Sequence, residues 1–488
     1  MADRGGELGA TRAGVTGEAP SDVLWHYNLS ARHLDKLCER VDTFSVSGDG
    51  ERLVVRHRDD TIVVPSSHKV DDDDPAYIRV DLTRLRRTVN PRAEWRQMFD
   101  ENGRLMASHY WREDMNGVDW DSVLNRYRPL VDLCHVVDDL HDILWETVAE
   151  LNTSHSYVSA SGAAGDSDMR AGLLGADVSS GNDGAKVVRV IPGESSDPRA
   201  WSPLRAAGVA VTEGDVIVAV DGRKVGADGN LGELLEGSAG RVVELTVRRG
   251  ENERQVAVVP MADEAPLRYH DWVASRRRYV EEHSGGRLGY LHVPDMVSDG
   301  WAELHRQIGE ATRHEGVIAD VRFNHGGHTS QLVVERLARR VVGWDYSRWY
   351  ATADTYPQNA VRGPIVMVTN QWAGSDGDIV AAATQAMGYA KVIGERSWGG
   401  VVGIDGRFDL VDGTSVTQPR YAGWYGSYGW GVENHGVDPD IVVTVSPEDW
   451  EADCDVQLDA AIAECLRQLD DKPAATAPEL PGPAFDRC

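Results

Sequence analysis

PIVMVTNQWAGSDGDIVAAATQAMG, residues Pro364–Gly388, sets out a strand, a glycine-bearing turn and a helix in that order. An apolar run gives way at Asn370 to a small polar corner, and the apolar residues after Gly377 fall at helical spacing. The same unit recurs on both sides. RLGYLHVP (Arg287–Pro294), GVIADVRFN (Gly316–Asn324) and KVIGER (Lys391–Arg396) read as further strands. WAELHRQIGEATRH (Trp301–His314), QLVVERLARRVV (Gln331–Val342) and CDVQLDAAIAECLRQL (Cys454–Leu469) read as helices. Strands alternating with helices imply an α/β layer domain, expected here over 263–469.

N-terminal to this block the periodicity changes. AKVVRVIPG, DVIVAVDGRKV and RVVELTVRRG are short β runs with turn glycines, and GNLGELLEG supplies one helix between them. Their order, with SPLRAAGV interposed, resembles a PDZ domain over 172–262. GLLGAD (Gly172–Asp177) falls at the position of its carboxylate-binding loop, where consecutive N–H groups would hold a peptide terminus. Ser159–Gly172, rich in glycine and serine, reads as a loop. AEWRQMFDENGRLMASHYW and Asp121–Leu151 carry helical periods, so 76–171 is expected to be a small helical domain. Phe44–Pro65 alternates about a Gly-Asp-Gly turn as a hairpin, and Asp71–Asp74 reads as an exposed acidic connector closing a segment 1–75. The Pro-rich end, 470–488, is expected to be a mobile tail.

With 488 residues, 41% hydrophobic and 26% charged, the chain is a globular protein of several domains. A net charge of −28 argues against nucleic acid. No run approaches a membrane span, and the first residues lack an apolar leader core. The five cysteines, Cys38, Cys134, Cys454, Cys465 and Cys488, show no short paired spacing, which fits a reducing compartment; a cytoplasmic location is expected. His135, Asp138 and His141 are three apart in turn, and that offset rotates them off a common line, so exposed helix polarity is favoured over a metal site.

Ser375 stands at the first turn of a helix, where unpaired N–H groups and the positive end of the dipole converge. Two readings compete there. Serine is a preferred N-cap, and Asp378 three residues on approximates a capping box; alternatively, the hydroxyl is a nucleophile. A second glycine corner, DVRFNHGGHTSQLV (Asp320–Val334), also ends a strand at a helix start. Gly326 and Gly327 let backbone approach a ligand closely. The N–H groups of Gly327 and Asp376 would form an oxyanion hole, worth roughly 3 to 4 kcal/mol per donor. Sixteen histidines leave the base open by counting alone.

NTSHSY (Asn152–Tyr157), DVRFNHGG, AGSDGD (Ala373–Asp378) and GVENHGVDPDI (Gly431–Ile441), in this order round a PDZ-like insert, resemble the C-terminal half of the tricorn protease family. The resemblance covers about residues 90–465. It implies a multidomain α+β fold with a short β remnant, a helical domain, a PDZ-like domain and an α/β catalytic domain of the tail-specific protease type. It implies a serine peptidase acting on peptides or unfolded segments, with Ser375 as nucleophile, His155 as base, and Ser154 and Glu433 orienting the imidazole. Gly327 and Asp376 receive the oxyanion, with Gly326 as competitor for the first. Trp398, Gly399 and Gly400, in SWGGVVGID, would wall the substrate pocket, and Asp345 would supply it with an acid from a neighbouring subunit. Neither metal nor cofactor is implied, and a homo-oligomer is expected, hexameric in the family. Serine-lysine chemistry is disfavoured, because the only lysine soon after Ser375 is Lys391, at a strand start. The rival reading of a different class is a catalytically idle PDZ module that binds peptides and regulates a longer relative.

Overall fold

The computed structural model describes residues 2–3, 22–57, 60–86, 88–160, 169–226, 230–349 and 352–480. Most of the Ser159–Gly172 loop, the last residues of the tail, and Cys488 lie outside these. Two compact units divide the chain, Met1–Pro91 and Arg92–Cys488.

In the first unit the hairpin within Phe44–Pro65 is the centre of a four-stranded antiparallel sheet. Its strands, Thr43–Val46, Arg52–His57, Asp60–Pro65 and Ile78–Val80, pair in chain order. Arg52–His57 buries Leu53 and Val55 and exposes the residues between, the period-two pattern of a one-faced strand. The acidic run Asp71–Asp74 forms a turn between two strands of this sheet, with Asp74 N–H donating to Asp71 C=O at 3.0 Å. A second antiparallel sheet pairs Asp22–Asn28 with His33–Val41. Leu24, Leu37 and Val41 share a core with Leu53, Val55 and Val64.

The second unit begins with helices Pro91–His109, Trp120–Val131 and Val137–Ala149, packed round Met98, Phe99, Leu140 and Leu144. Helical periodicity over Asp121–Leu151 is broken in the middle, and two causes are local. Pro129 removes a ladder donor near the end of the second helix. Asp139 then turns its carboxylate back to accept the N–H groups of His135 (2.7 Å) and Val136 (3.2 Å), which starts the third. His135 therefore lies outside the helix, and His141 Nε2 is 3.1 Å from Thr414 Oγ1.

The PDZ-like segment is a sheet ordered 252–258, 243–249, 216–220, 184–190, 176–181. Its expected carboxylate loop is internally occupied. Gly172 N–H donates to Leu235 C=O (2.8 Å), Leu173 N–H to Met261 C=O (2.8 Å), and Gly175 N–H to the Glu264 carboxylate (3.1 Å).

Five parallel strands make the sheet that carries the candidate site, in the order Leu288–His292, Gly316–Asp320, Ile365–Thr369, Ala390–Gly394 and Ile441–Val442. The two central strands, Gly316–Asp320 and Ile365–Thr369, are buried along their whole length because helices cover both faces. Val317, Ala319 and Met367 point to one side, against helices Ser298–Ala311, Ser330–Leu337 and Asp376–Met387. Ile318, Val366 and Val368 point to the other, against Ala265–His283 and Val456–Asp471. Each of these side chains other than Ala319 contributes roughly 1.5 to 3 kcal/mol on burial. Helix Ser330–Leu337 is shorter than the apolar pattern to Val342 suggests: Arg340 already pairs with Val361 as a β-bridge. Among the described residues no helix is long and apolar enough to cross a membrane.

Candidate active site

Strand Ile365–Thr369 ends in a corner that reverses the chain before helix Asp376–Met387. Ser375 makes the reversal with φ 58° and ψ −121°, a conformation non-glycine residues rarely adopt. That backbone turns the side chain away from the helix start, and Ser375 gives no side-chain cap. Asp376 turns its carboxylate instead to the N–H of Ser330 (3.0 Å), at the start of the adjacent helix, so the two glycine-bearing corners are tied together.

Gly326, at φ +75°, passes directly over the serine. A Cβ added there would lie 2.4 Å from Ser375 Cβ and 3.0 Å from Oγ, so only glycine allows this approach. Asn324 fixes the crossing. Its carbonyl accepts Gly374 N–H (3.0 Å), its side-chain oxygen accepts Gly326 N–H (2.9 Å), and its amide donates to Val293 C=O (2.8 Å). The N–H of Gly326 is thereby occupied. Among the described residues the N–H groups of Gly327 and Asp376 have no acceptor.

Behind the corner, Arg322 anchors the loop. Buried itself, it makes two bonds to the Asp455 carboxylate (2.8 and 3.0 Å) and others to Asp320, the shortest 2.7 Å.

His155 follows the third helix, in a segment pinned on both sides. Tyr110 Oη is 2.8 Å from Thr153 Oγ1, Asn434 donates to Asn152 C=O at 2.8 Å, and Thr417 Oγ1 donates to the His155 carbonyl. His155 also has positive φ, 60°. Its Nδ1 lies 3.0 Å from Ser154 Oγ, which donates to Glu433 Oε2 at 3.0 Å; Glu433 Oε1 accepts Ser154 N–H at 2.7 Å. Val401 and Val402 N–H complete the carboxylate's shell at 2.8 and 3.0 Å. Burial lowers the His155 pKa below its ordinary value, and Glu433 works in the opposite direction.

Trp398 joins the two halves. Its indole lies against Gly374, where an added Cβ would be 2.6 Å from Cε3, and its ring centroid is 5.4 Å from that of His155. Gly399 and Gly400 donate to Asp378 at 2.8 and 3.2 Å. Of the residues singled out in the sequence, Ser154, His155 and Glu433 are thus directly bonded; Ser375, Gly326, Gly374 and Trp398 are in packing contact. Asp345 is exposed on a separate ribbon, Gly343–Asp345 with Asp354–Tyr356, and no hydrogen bond or ion pair joins it to this set among the described residues. Lys391 is ion-paired with Asp440 at 3.3 Å. Asp378, Asn324 and Thr417 have contacts that sequence reasoning did not anticipate; Asp378 was visible only as a helix-start acid.

Residues 287–443, which hold the doubly covered parallel sheet and the serine corner, match the family described as Peptidase family S41. The flanking segments match the tricorn protease PDZ domain (172–263) and the tricorn protease C1 domain (91–149). Tricorn protease homolog 1 of Streptomyces coelicolor is 56% identical over 481 residues, spanning 98% of this chain and 45% of that protein. Tricorn protease of Thermoplasma acidophilum is 35% identical over 454 residues, spanning 93% and 42%. A crystal structure of the tricorn protease superposes with TM-score 0.86 at 34% identity, over 93% of this chain and 44% of that one. The chain belongs to the tricorn protease family. It spans less than half the length of these relatives.

Proposed function

We propose that this chain is a serine peptidase that hydrolyses peptides or unfolded polypeptide segments through an acyl-enzyme on Ser375. The observation that carries the reading is the bonded series Glu433, Ser154, His155, which ends on a half-buried imidazole packed on Trp398, the ring that also covers Gly374 next to Ser375. The Nδ1 contact with Ser154 leaves Nε2 for the serine proton. As Ser375 Oγ bonds to the scissile carbonyl carbon, its proton passes to His155 Nε2, and Glu433 stabilises the imidazolium through the Ser154 hydroxyl. The carbonyl oxygen, now negative, is received by Gly327 and Asp376 N–H, the donors without an acceptor. Gly326 N–H is committed to Asn324, which favours Gly327 of the two glycines. When the C–N bond breaks, the proton is returned to the leaving amine. Water then repeats the sequence to release the acid.

Trp398, Gly399 and Gly400 wall the substrate side, and Asp345 would act only across a subunit boundary, in a homo-oligomer. A cytoplasmic setting fits the unpaired Cys38, Cys134, Cys454 and Cys465. The idle peptide-binding alternative is less well supported, because Gly175 N–H, in the expected carboxylate loop, already donates to Glu264 (3.1 Å). Turnover of a fluorogenic peptide panel by wild type, abolished in Ser375→Ala and His155→Ala while both keep the wild-type melting profile, is the expected outcome. Equal turnover by either variant would sink the reading.

A further inference from the structure

We infer that Asp378 is a positioning residue for this site: its carboxylate clamps the Ser397–Val402 segment to the helix that begins at Ser375, and so sets where Trp398, Glu433 and the imidazole stand relative to the nucleophile. This rests on the peptidase reading.

Asp378 is fully buried, three residues beyond Ser375. It accepts the Ser397 hydroxyl and the N–H groups of Gly399 (2.8 Å) and Gly400 (3.2 Å). The clamped segment touches the serine corner, the imidazole and Glu433. Trp398 N–H donates to Ala373 C=O (3.0 Å), just before the serine corner, and its indole lies between Gly374 and His155. Gly399 C=O accepts Asn434 N–H (2.7 Å), and Val401 and Val402 N–H hold Glu433. Ser397 Oγ accepts Val437 N–H (2.8 Å), fixing the far side. Gly399 has φ +93°, and an added Cβ would be 2.4 Å from Gly436 N, so the segment has no room to shift as a body.

Three donors converging on one side chain favour the ionised form; a protonated carboxyl has one acceptor site fewer and an O–H to place among them. Burial opposes ionisation and pushes the Asp378 pKa up to about 6, with the converging donors working the other way. The titratable group that faces it is Tyr425, whose phenol is pushed up to about 12 mainly by burial, with Asp376 and Asp378 contributing; Asp376, on the same helix, is turned to Ser330. Glu433 stands across the clamped segment. Acidification through about pH 6 therefore adds a proton to the clamp and rearranges its donors, without costing the fold stability, in addition to protonating His155.

The experiment compares wild type, Asp378→Asn and Asp378→Glu as full chains. It measures the second-order rate of fluorophosphonate labelling, and kcat and KM on a fluorogenic peptide, from pH 5 to 9. Asp378→Asn is expected to lose labelling rate and kcat on the order of 10²-fold, with KM within about threefold, as misplacement of catalytic groups without loss of binding requires. Its acid limb is expected to become shallower by one proton, and Asp378→Glu to recover part of the rate. Asp378→Asn that keeps the wild-type labelling rate and acid limb would overturn the inference alone. Absence of labelling in wild type would overturn the peptidase reading and this inference with it. Should Asp378→Asn fail to melt cooperatively, Ser397→Ala decides: about a tenfold loss of kcat at constant KM is expected from one lost donor, and unchanged kcat would overturn the clamp.

Discussion

Glu433 holds Ser154 twice, accepting its backbone N–H at 2.7 Å and its hydroxyl at 3.0 Å, across 279 positions of chain. Both oxygens are used, and Val401 and Val402 fill the second one. The charge is thus delivered to His155 through a hydroxyl that cannot turn freely. In Glu433→Gln an amide would point at a backbone donor and the charge would be gone. On the order of 10²-fold or greater loss of kcat is expected, with KM little changed. Steady-state kinetics on one fluorogenic peptide checks it, and a loss confined to KM would contradict it.

Gly326→Ala places a methyl 2.4 Å from Ser375 Cβ, at φ +75°. Backbone strain alone costs about 1 to 3 kcal/mol. Denaturant unfolding should show that loss, and turnover should fall with it because the methyl also crowds Oγ. An alanine variant of wild-type stability and activity would show that the two corners do not pack as described.

The pH dependence of stability separates two buried groups by sign. His155 has its pKa lowered by burial, so its contribution is present above the ordinary 6.5 and is lost as pH falls from there through the folded value. Asp378 is raised to about 6 from an ordinary 3.8; its contribution is present below 3.8 and is lost as pH rises through about 6. Urea unfolding between pH 4 and 8 should therefore show His155→Ala less acid-sensitive than wild type, and Asp378→Asn gaining stability relative to wild type as pH rises through about 6. The acid limb of wild-type kcat/KM should include a midpoint below 6.5 belonging to the imidazole.

Arg322 is the cation between Asp320 and Asp455. Its loss leaves buried Asp320 without a cation, while Asp455 keeps Arg276 at 3.3 Å, and Arg322→Ala is expected to destabilise the protein by about 3 to 5 kcal/mol. Chemical denaturation of the variant measures this directly. A loss under about 1 kcal/mol would mean that water or another cation replaces the guanidinium.

Much of this is legible in the sequence. Strand Ile365–Thr369 and helix Asp376–Met387 were readable because local patterning and tertiary burial agree there. Helix Ala265–His283 was not: it is rich in arginine and aromatic residues and buries a sparse stripe of Leu267, His270, Val273 and Val280. Ser375 could be singled out by its corner, but whether it caps the helix depends on a φ that no local preference dictates. His155 and Glu433 came from the family resemblance; nothing near either residue announces a partner hundreds of positions away. Asp378 was read only in part for the same reason. It is a helix-start acid, and its wider role as acceptor appears only when the donors Ser397, Gly399 and Gly400 are folded onto it.

Mass spectrometry of the full chain after exposure to a fluorophosphonate, with the modified residue located by peptide mapping, tests the central claim most directly. A single adduct on Ser375, absent from Ser375→Ala and formed far more slowly in His155→Ala, is the result predicted. An unmodified Ser375 in folded protein, or an adduct on another residue, would contradict it.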